Sequence, residues 1–249
     1  MPKPHNTRPV ALITGAGKRV GSVIARTLHD AGYDLALHYR HSRVEMDGLC
    51  AALEGARAHS TCAMAAELGD IENLPELVRQ CVTRFGRLDA LINNASAFYP
   101  TPLGTVTPQQ WQELFASNAQ APFFLAQAAA PHLKSVQGCI VNMVDIYAER
   151  PLPQHPVYSM AKAALAMMTL ALARELGPDV RVNGVAPGAV LWPEAGKSYA
   201  DQQELVARSA LQRAGTPEDV AAAVLFLVRD AKFTTGTILK VDGGRALVI

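Results

Sequence analysis

Tyr158 and Lys162 stand four residues apart, a spacing that places both side chains on one face of a helix. A phenol can deliver a proton, and an ammonium held beside it lowers its pKa from the usual value of about 10. Thirteen residues before the tyrosine, Asp145 follows the apolar run "CIVNMV" (139–144), which reads as a buried strand. Carboxylate, phenol and ammonium therefore converge on one strand end, which is the equipment of a proton-transfer site. The carboxylate is the unusual member, because it sits where a tyrosine is to give up a proton.

A second group of residues suits a dinucleotide. "TGAGKRVG" (14–21) follows the first apolar run and leads into a helical pattern. Gly15 and Gly17 can turn tightly and bring backbone N–H groups close to a phosphate, with Lys18, Arg19 and Val20 opening the helix behind them. An ordinary strand-to-helix turn would look similar, and the spacing departs from G-x-G-x-x-G. Arg19 stands where a glycine is expected; its guanidinium suits a pyrophosphate or the acceptors of a flat ligand. The second strand ends in "HYRHS" (38–42). An NAD site usually has an acid here to accept from the ribose diol, and none occurs before Glu45. Tyr39, Arg40, His41 and Ser42, with Lys18, offer donors for a 2′-phosphate, so NADPH is the expected cofactor; a solvated basic turn is the alternative. Asn94, Ala95 and Ser96 in "NNAS", and Pro187 and Gly188 in "APG", follow two later strands.

The elements that must position these residues alternate from end to end. Strands are expected at 10–14, 33–39, 57–63, 88–94, 139–144, 180–186 and 238–244. Helices are expected from Arg19 to before Gly32, at 43–54, 71–85, from Pro108 towards Leu133, from Tyr158 to about Leu176, and from Pro217. Seven strands alternating with helices predict a doubly wound α/β domain, its largely parallel sheet covered on both faces. No linker or repeat divides the 249 residues, which read as one domain. Ligands of such sheets bind beyond the carboxyl ends of the strands, where the residues above fall.

Composition narrows the function classes. Apolar residues make up 49% and the net charge is +1, with no basic block to suggest nucleic acid or a membrane surface. The four cysteines have no metal-ligand spacing and the seven histidines none either, so no metal is expected. The N-terminal "MPKPHNTRP" lacks an apolar signal core, and the run "AALAMMTLALA" (163–173) falls short of the ~20 residues of a membrane helix. A cytoplasmic location is expected. That run suits a helix core or a subunit interface.

Taken together, "TG-x3-R-x-G", "NNAS", Asn118, the Y-x3-K pair and the final "VDGG" resemble the short-chain dehydrogenase/reductases over nearly the whole chain. Arg19, "NNASAFYPTPL" (93–103) and "NMVD" (142–145) are similar to the pteridine reductases within that family. The resemblance implies a Rossmann-type fold, a homotetramer, and NADPH-dependent reduction of a pterin. It implies Tyr158 as proton donor, Lys162 on the nicotinamide ribose, and Asn118 supporting a water-linked proton path. It further implies Phe98 stacked on the pterin opposite the nicotinamide, with Ser96 and Arg19 on ligand or phosphates. Glu67-Leu68 stands where the family has Asp-Leu beside the adenine. Residues 189–210 are expected to form the substrate loop, with Trp192 either a substrate wall or a packing residue.

Most members of the family carry serine at the position of Asp145. Carbonyl reduction builds negative charge on oxygen, which an ionised carboxylate 4 Å away opposes by about 4 kcal/mol at an effective dielectric of about 20. Reduction of a ring C=N has another need: hydride goes to carbon and the nitrogen takes a proton, which an aspartate against Tyr158 can relay. The substitution points to a nitrogen heterocycle. A carbonyl reductase tolerating Asp145 and a non-catalytic NADP(H)-responsive binding protein are the alternatives.

Overall fold

The computed structural model describes residues 7–188, 190, 206–207 and 209–247. Seven strands form one parallel sheet: β1 (Val10–Ile13), β2 (Asp34–Tyr39), β3 (Thr61–Ala65), β4 (Ala90–Asn93), β5 (Cys139–Met143), β6 (Arg181–Pro187) and β7 (Ile238–Val241), in the order β3-β2-β1-β4-β5-β6-β7. Between them run α1 (Arg19–Asp30), α2 (Arg43–Ala56), α3 (Leu74–Phe85), α4 (Pro108–Phe115), α5 (Ala121–Lys134), α6 (Pro156–Leu176) and α7 (Pro217–Leu225). This is a Rossmann-type fold, and its order reverses between β1 and β4, the crevice where such sheets take ligands.

The apolar residues of the strands divide by period two between the faces. Ala11, Ile13, Leu35, Leu37, Ala90 and Ile92 join α1, α2 and α7 in one core, through Ile24, Leu28, Met46, Val220 and Val224. Val10, Leu12, Ala36 and Leu91 join α3 and α5 in the other, through Leu77, Val78, Leu125 and Ala129. Burial on both faces explains why these strands are continuous apolar runs.

Two elements differ from expectation. The third strand begins at Thr61 rather than near Arg57. Glu54 at the end of α2 accepts from the backbone N–H of His59 (2.5 Å) and Thr61 (2.7 Å), and His59 takes φ +62, so residues 57–60 turn before the chain extends. The long helix from Pro108 is interrupted by a π-helical segment, Ala116–Gln120, which widens one turn at Asn118. By length and apolar composition α6 passes for a membrane span, contrary to the reading of its apolar run as too short. It packs against β6, with Tyr158, Lys162, Leu165 and Thr169 buried and Met160, Met167 and Leu170 exposed.

Candidate active site

β5 delivers Asp145 to the floor of a cleft of about 770 Å³ at the carboxyl ends of the strands. Asp145 caps a short 3₁₀ turn, its Oδ1 accepting from the Tyr147 N–H at 2.9 Å. Its other oxygen, Oδ2, accepts from the Tyr158 hydroxyl at 2.7 Å. One turn along α6, the buried Lys162 ammonium lies 5.7 Å from the Tyr158 ring centre and donates to the Met143 carbonyl at 2.7 Å. Asp145 lies deep among protein atoms while keeping part of its surface open to the cleft. Burial raises its pKa, against the backbone bond, the Tyr158 bond and the Lys162 charge, which lower it. Burial brings Lys162 down to about 8, with Asp145 opposing. A carboxyl pushed towards its protonated form and a phenol in hydrogen-bond contact make a two-member proton chain.

Phe98 stands over this pair. Its ring meets Tyr158 edge-on, with centres 4.8 Å apart, and stacks on His155 at 4.8 Å and 9°. His155 therefore backs one part of the Phe98 surface, a contact that the sequence did not suggest. Asn118 is fully buried behind the cleft in the π segment. Its Oδ1 accepts from the Ser96 hydroxyl at 2.7 Å, and its Nδ2 donates to the carbonyls of Ala97 and Leu114, each at 2.9 Å. Ser96, expected to face a ligand, thus uses its hydroxyl hydrogen on Asn118 while still lining the cleft.

Glycines shape the other end. Gly15 has φ +62, and a Cβ there would lie 2.9 Å from Ala95 Cα; a Cβ on Gly188 would lie 2.8 Å from Asp242 Cα. Arg19, at the first position of α1, has φ +54, the left-handed conformation that favours the glycine expected there. Thr14 Oγ1 accepts from the N–H groups of Asn94 and Ala95, both at 3.0 Å, and Asn94 Nδ2 donates to the carbonyls of Thr14 and Gly15. These bonds hold the loops after β1 and β4 side by side. Lys18, Arg19, Val20, Tyr39, Arg40, His41, Ser42, Glu67, Leu68, Pro187 and Gly188 line the same cleft.

Arg40 of the "HYRHS" turn and Lys18 of the glycine loop are paired with carboxylates. Arg40 Nε meets Glu67 Oε2 at 2.5 Å, and its Nη1 lies 3.9 Å from Glu113; Lys18 meets Glu45 at 2.8 Å. All are about half exposed, so their pairs are exchangeable with a stronger anion. Tyr147, Glu113 and His38 also border the cleft and were not singled out from the sequence. Tyr147 is two residues beyond Asp145, which is the one local signal for it. Trp192 and most of the expected substrate loop lie outside the described residues.

Residues 15–246 match the family model described as enoyl-(acyl carrier protein) reductase. The chain is 37% identical to pteridine reductase 1 of Leishmania tarentolae, with 97% of both chains covered. It is 34% identical to versicolorin reductase 1 of Aspergillus parasiticus, over 94% of this chain and 95% of the relative. It is 30% identical to a 3-oxoacyl-[acyl-carrier-protein] reductase of Staphylococcus aureus, over 94% of this chain and 96% of the relative. These matches, which run over nearly the whole chain, establish it as a nicotinamide-dependent oxidoreductase belonging to the short-chain dehydrogenase/reductase family.

Proposed function

We propose that the protein reduces a pterin ring C=N with NADPH. The observation that carries this reading is the 2.7 Å hydrogen bond between Tyr158 and Asp145, a carboxyl whose pKa burial raises. The likeness to a pteridine reductase supports it. A cleft of about 770 Å³ fits a dinucleotide, and Gly15 and Gly188 bring backbone to its wall where a Cβ would collide with Ala95 or Asp242. When bound, the nicotinamide supplies hydride to the substrate carbon.

The chain's residues supply the rest. Tyr158 delivers a proton to the ring nitrogen, and Asp145 hands its own proton to Tyr158 as that happens. Lys162, charged and buried, stabilises any negative charge on the phenol and holds the nicotinamide ribose. Phe98 covers the ligand's flat face, with Arg19 and Ser96 at its edge. Arg40, His41, Ser42 and Lys18 would hold the 2′-phosphate of a bound cofactor, Arg40 and Lys18 exchanging their half-exposed pairs with Glu67 and Glu45 for it. Glu67 and Leu68 flank the adenine. Asn118 holds the loop of Ser96 and Ala97 in place and supports the proton path from behind.

The similarity to versicolorin and 3-oxoacyl reductases favours carbonyl reduction as the second reading. NADPH consumption against biopterin, dihydrobiopterin, dihydromonapterin, dihydrofolate and simple ketones separates the two. Turnover of a pterin well above every ketone supports the proposal, and turnover of ketones alone overturns it. We further propose a cytoplasmic homotetramer. The exposed stripe of Met160, Met167 and Leu170 on α6, with the exposed Trp111 on α4 and Phe123 on α5, offers apolar surface for it. Light scattering on the purified protein measures the assembly.

A further inference from the structure

His38 is the penultimate residue of β2 and is 1% exposed, yet both of its ring nitrogens are engaged. Gly15 N–H points at Nδ1 across 3.1 Å, and Nε2 lies 3.1 Å from the carbonyl oxygen of Ala66. A backbone N–H can only donate and a carbonyl can only accept, so Nδ1 carries no proton and Nε2 carries the one hydrogen. One neutral tautomer satisfies both contacts. The two partners belong to different walls of the cleft. Gly15 opens the glycine loop, and Ala66 immediately precedes Glu67-Leu68.

Gly15 has no room to withdraw. Its carbonyl is held by Asn94 Nδ2 at 3.0 Å, its φ is +62, and its Cα faces Ala95 closely enough to bar a methyl group. The next residue is tied as well, Ala16 N–H donating to the His38 carbonyl at 2.8 Å. Backbone geometry at the start of α1 is thereby referred to one imidazole.

We propose that His38 is a positioning residue of the cofactor cleft, a neutral imidazole that braces the glycine loop against the exit of β3, and that its protonation loosens the loop and releases the dinucleotide. The proposal rests on the reading of this cleft as a nicotinamide dinucleotide site. A proton on Nδ1 sets an N–H against the Gly15 N–H, turning an attractive contact into a repulsive one with no solvent to relieve it. Among the described residues, the charged group that faces His38 is Glu67, itself paired with Arg40. Burial lowers the proton affinity of His38 and outweighs the Ala66 carbonyl and Glu67, which raise it. The ring is accordingly neutral at neutral pH, and the loosening belongs to the acid side.

The test is NADPH affinity, measured by quenching of protein fluorescence between about pH 7.5 and about pH 5, in wild type, His38→Asn and His38→Leu. The Asn amide oxygen falls near the place of Nδ1, accepts from Gly15 and does not titrate. His38→Asn keeps the Gly15 contact and loses the one to Ala66, so at neutral pH it is expected to bind more weakly than wild type but more tightly than His38→Leu. Wild type should then lose affinity relative to His38→Asn by about tenfold per pH unit below the His38 titration. Titration of the 2′-phosphate and of surface carboxylates is common to both proteins and cancels in that ratio. Parallel pH profiles for wild type and His38→Asn overturn the proposal. Hydrogen exchange at the Gly15 amide tests the brace without any ligand: it should accelerate in free wild type on acidification and not in His38→Asn. Failure of wild type to bind NADPH at neutral pH counts against the cofactor reading, while an unprotected Gly15 amide counts against the brace.

Discussion

Replacing Asp145 with asparagine separates the two kinds of reduction that this cleft could perform. If Tyr158 alone gave up a proton, its phenolate would face the Asp145 carboxylate across 2.7 Å. At an effective dielectric of about 20, that repulsion is of order 6 kcal/mol, about four decades in rate. A protonated Asp145 removes the difficulty, since its proton moves to Tyr158 while the Tyr158 proton moves to the substrate. Burial, the largest influence on Asp145, favours that protonated form. Asparagine keeps the shape and hydrogen bonds but has no proton to pass on. Asp145→Asn should therefore lower pterin turnover by about a hundred- to ten-thousand-fold, roughly 3–5 kcal/mol, with NADPH affinity nearly unchanged. Ketone turnover should hold or rise, because the opposing carboxylate is gone. Steady-state NADPH oxidation across pH supplies a second reading. Wild-type pterin turnover should fall as pH rises through the elevated Asp145 pKa, and that limb should vanish in Asp145→Asn. The limb set by Lys162, at about 8 in wild type, should persist and move to lower pH, because the Asp145 charge that holds it up is gone. Full pterin turnover by Asp145→Asn with an unaltered pH profile would refute the relay.

Arg40→Asp places a second carboxylate beside Glu67 and should cut the preference for NADPH over NADH by about 10- to 100-fold; equal kcat/KM for both cofactors in wild type would dispose of the 2′-phosphate assignment. Phe98→Ala removes a ring between His155 and the cleft and should weaken planar diaminopteridine inhibitors by about 1–3 kcal/mol, the scale of ring stacking elsewhere, as read by calorimetry in the presence of NADP⁺. His29 is buried against Ser60 at 2.8 Å, and burial with the Arg57 charge lowers its pKa. The unfolded chain therefore takes up that proton first: its contribution to stability is complete above about pH 6.5 and is lost as pH falls through the folded value, by about 1.4 kcal/mol for each unit between the two. Thermal melts of wild type and His29→Gln should diverge least in acid; a constant gap from about pH 7.5 to pH 5 would contradict this.

Legibility in the sequence followed the range of the interaction involved. The alternation of elements and the ends of β1, β4 and β6 were readable because burial on both faces writes itself into short apolar runs closed by Gly, Asn or Pro, and those of β2 and β5 because Arg40 and Asp145 end theirs. The Tyr158/Lys162 pair was readable from helical spacing and Asp145 from its place after a strand. What stayed hidden depends on partners distant in the chain. His38 looked like part of a basic turn until Gly15 and Ala66 closed on its ring, 23 and 28 residues away. The Arg40–Glu67 pair joins two strand exits, and the stacking of His155 on Phe98 joins two loops. The displaced start of β3 came from a Glu54 side chain competing for backbone N–H groups, which periodicity cannot register.

The widened turn at Ala116–Gln120 has a bearing on how such a helix changes by insertion and deletion. A regular helix turns about 100° per residue, so adding one residue would normally swing everything downstream to a different side. A π-helical turn absorbs the extra residue locally. Upstream, Leu114 keeps its place in the small core with Val157 and Tyr158; downstream, Ala121, Leu125 and Ala129 keep theirs beneath the sheet. Asn118 can thus face Ser96 and Ala97 without either apolar stripe being re-phased. Loss of a single residue from this segment would heal the helix into ordinary pitch and leave both hydrophobic seams seated, while rotating the amide away from the cleft. Such a change would preserve the fold and uncouple it from the chemistry.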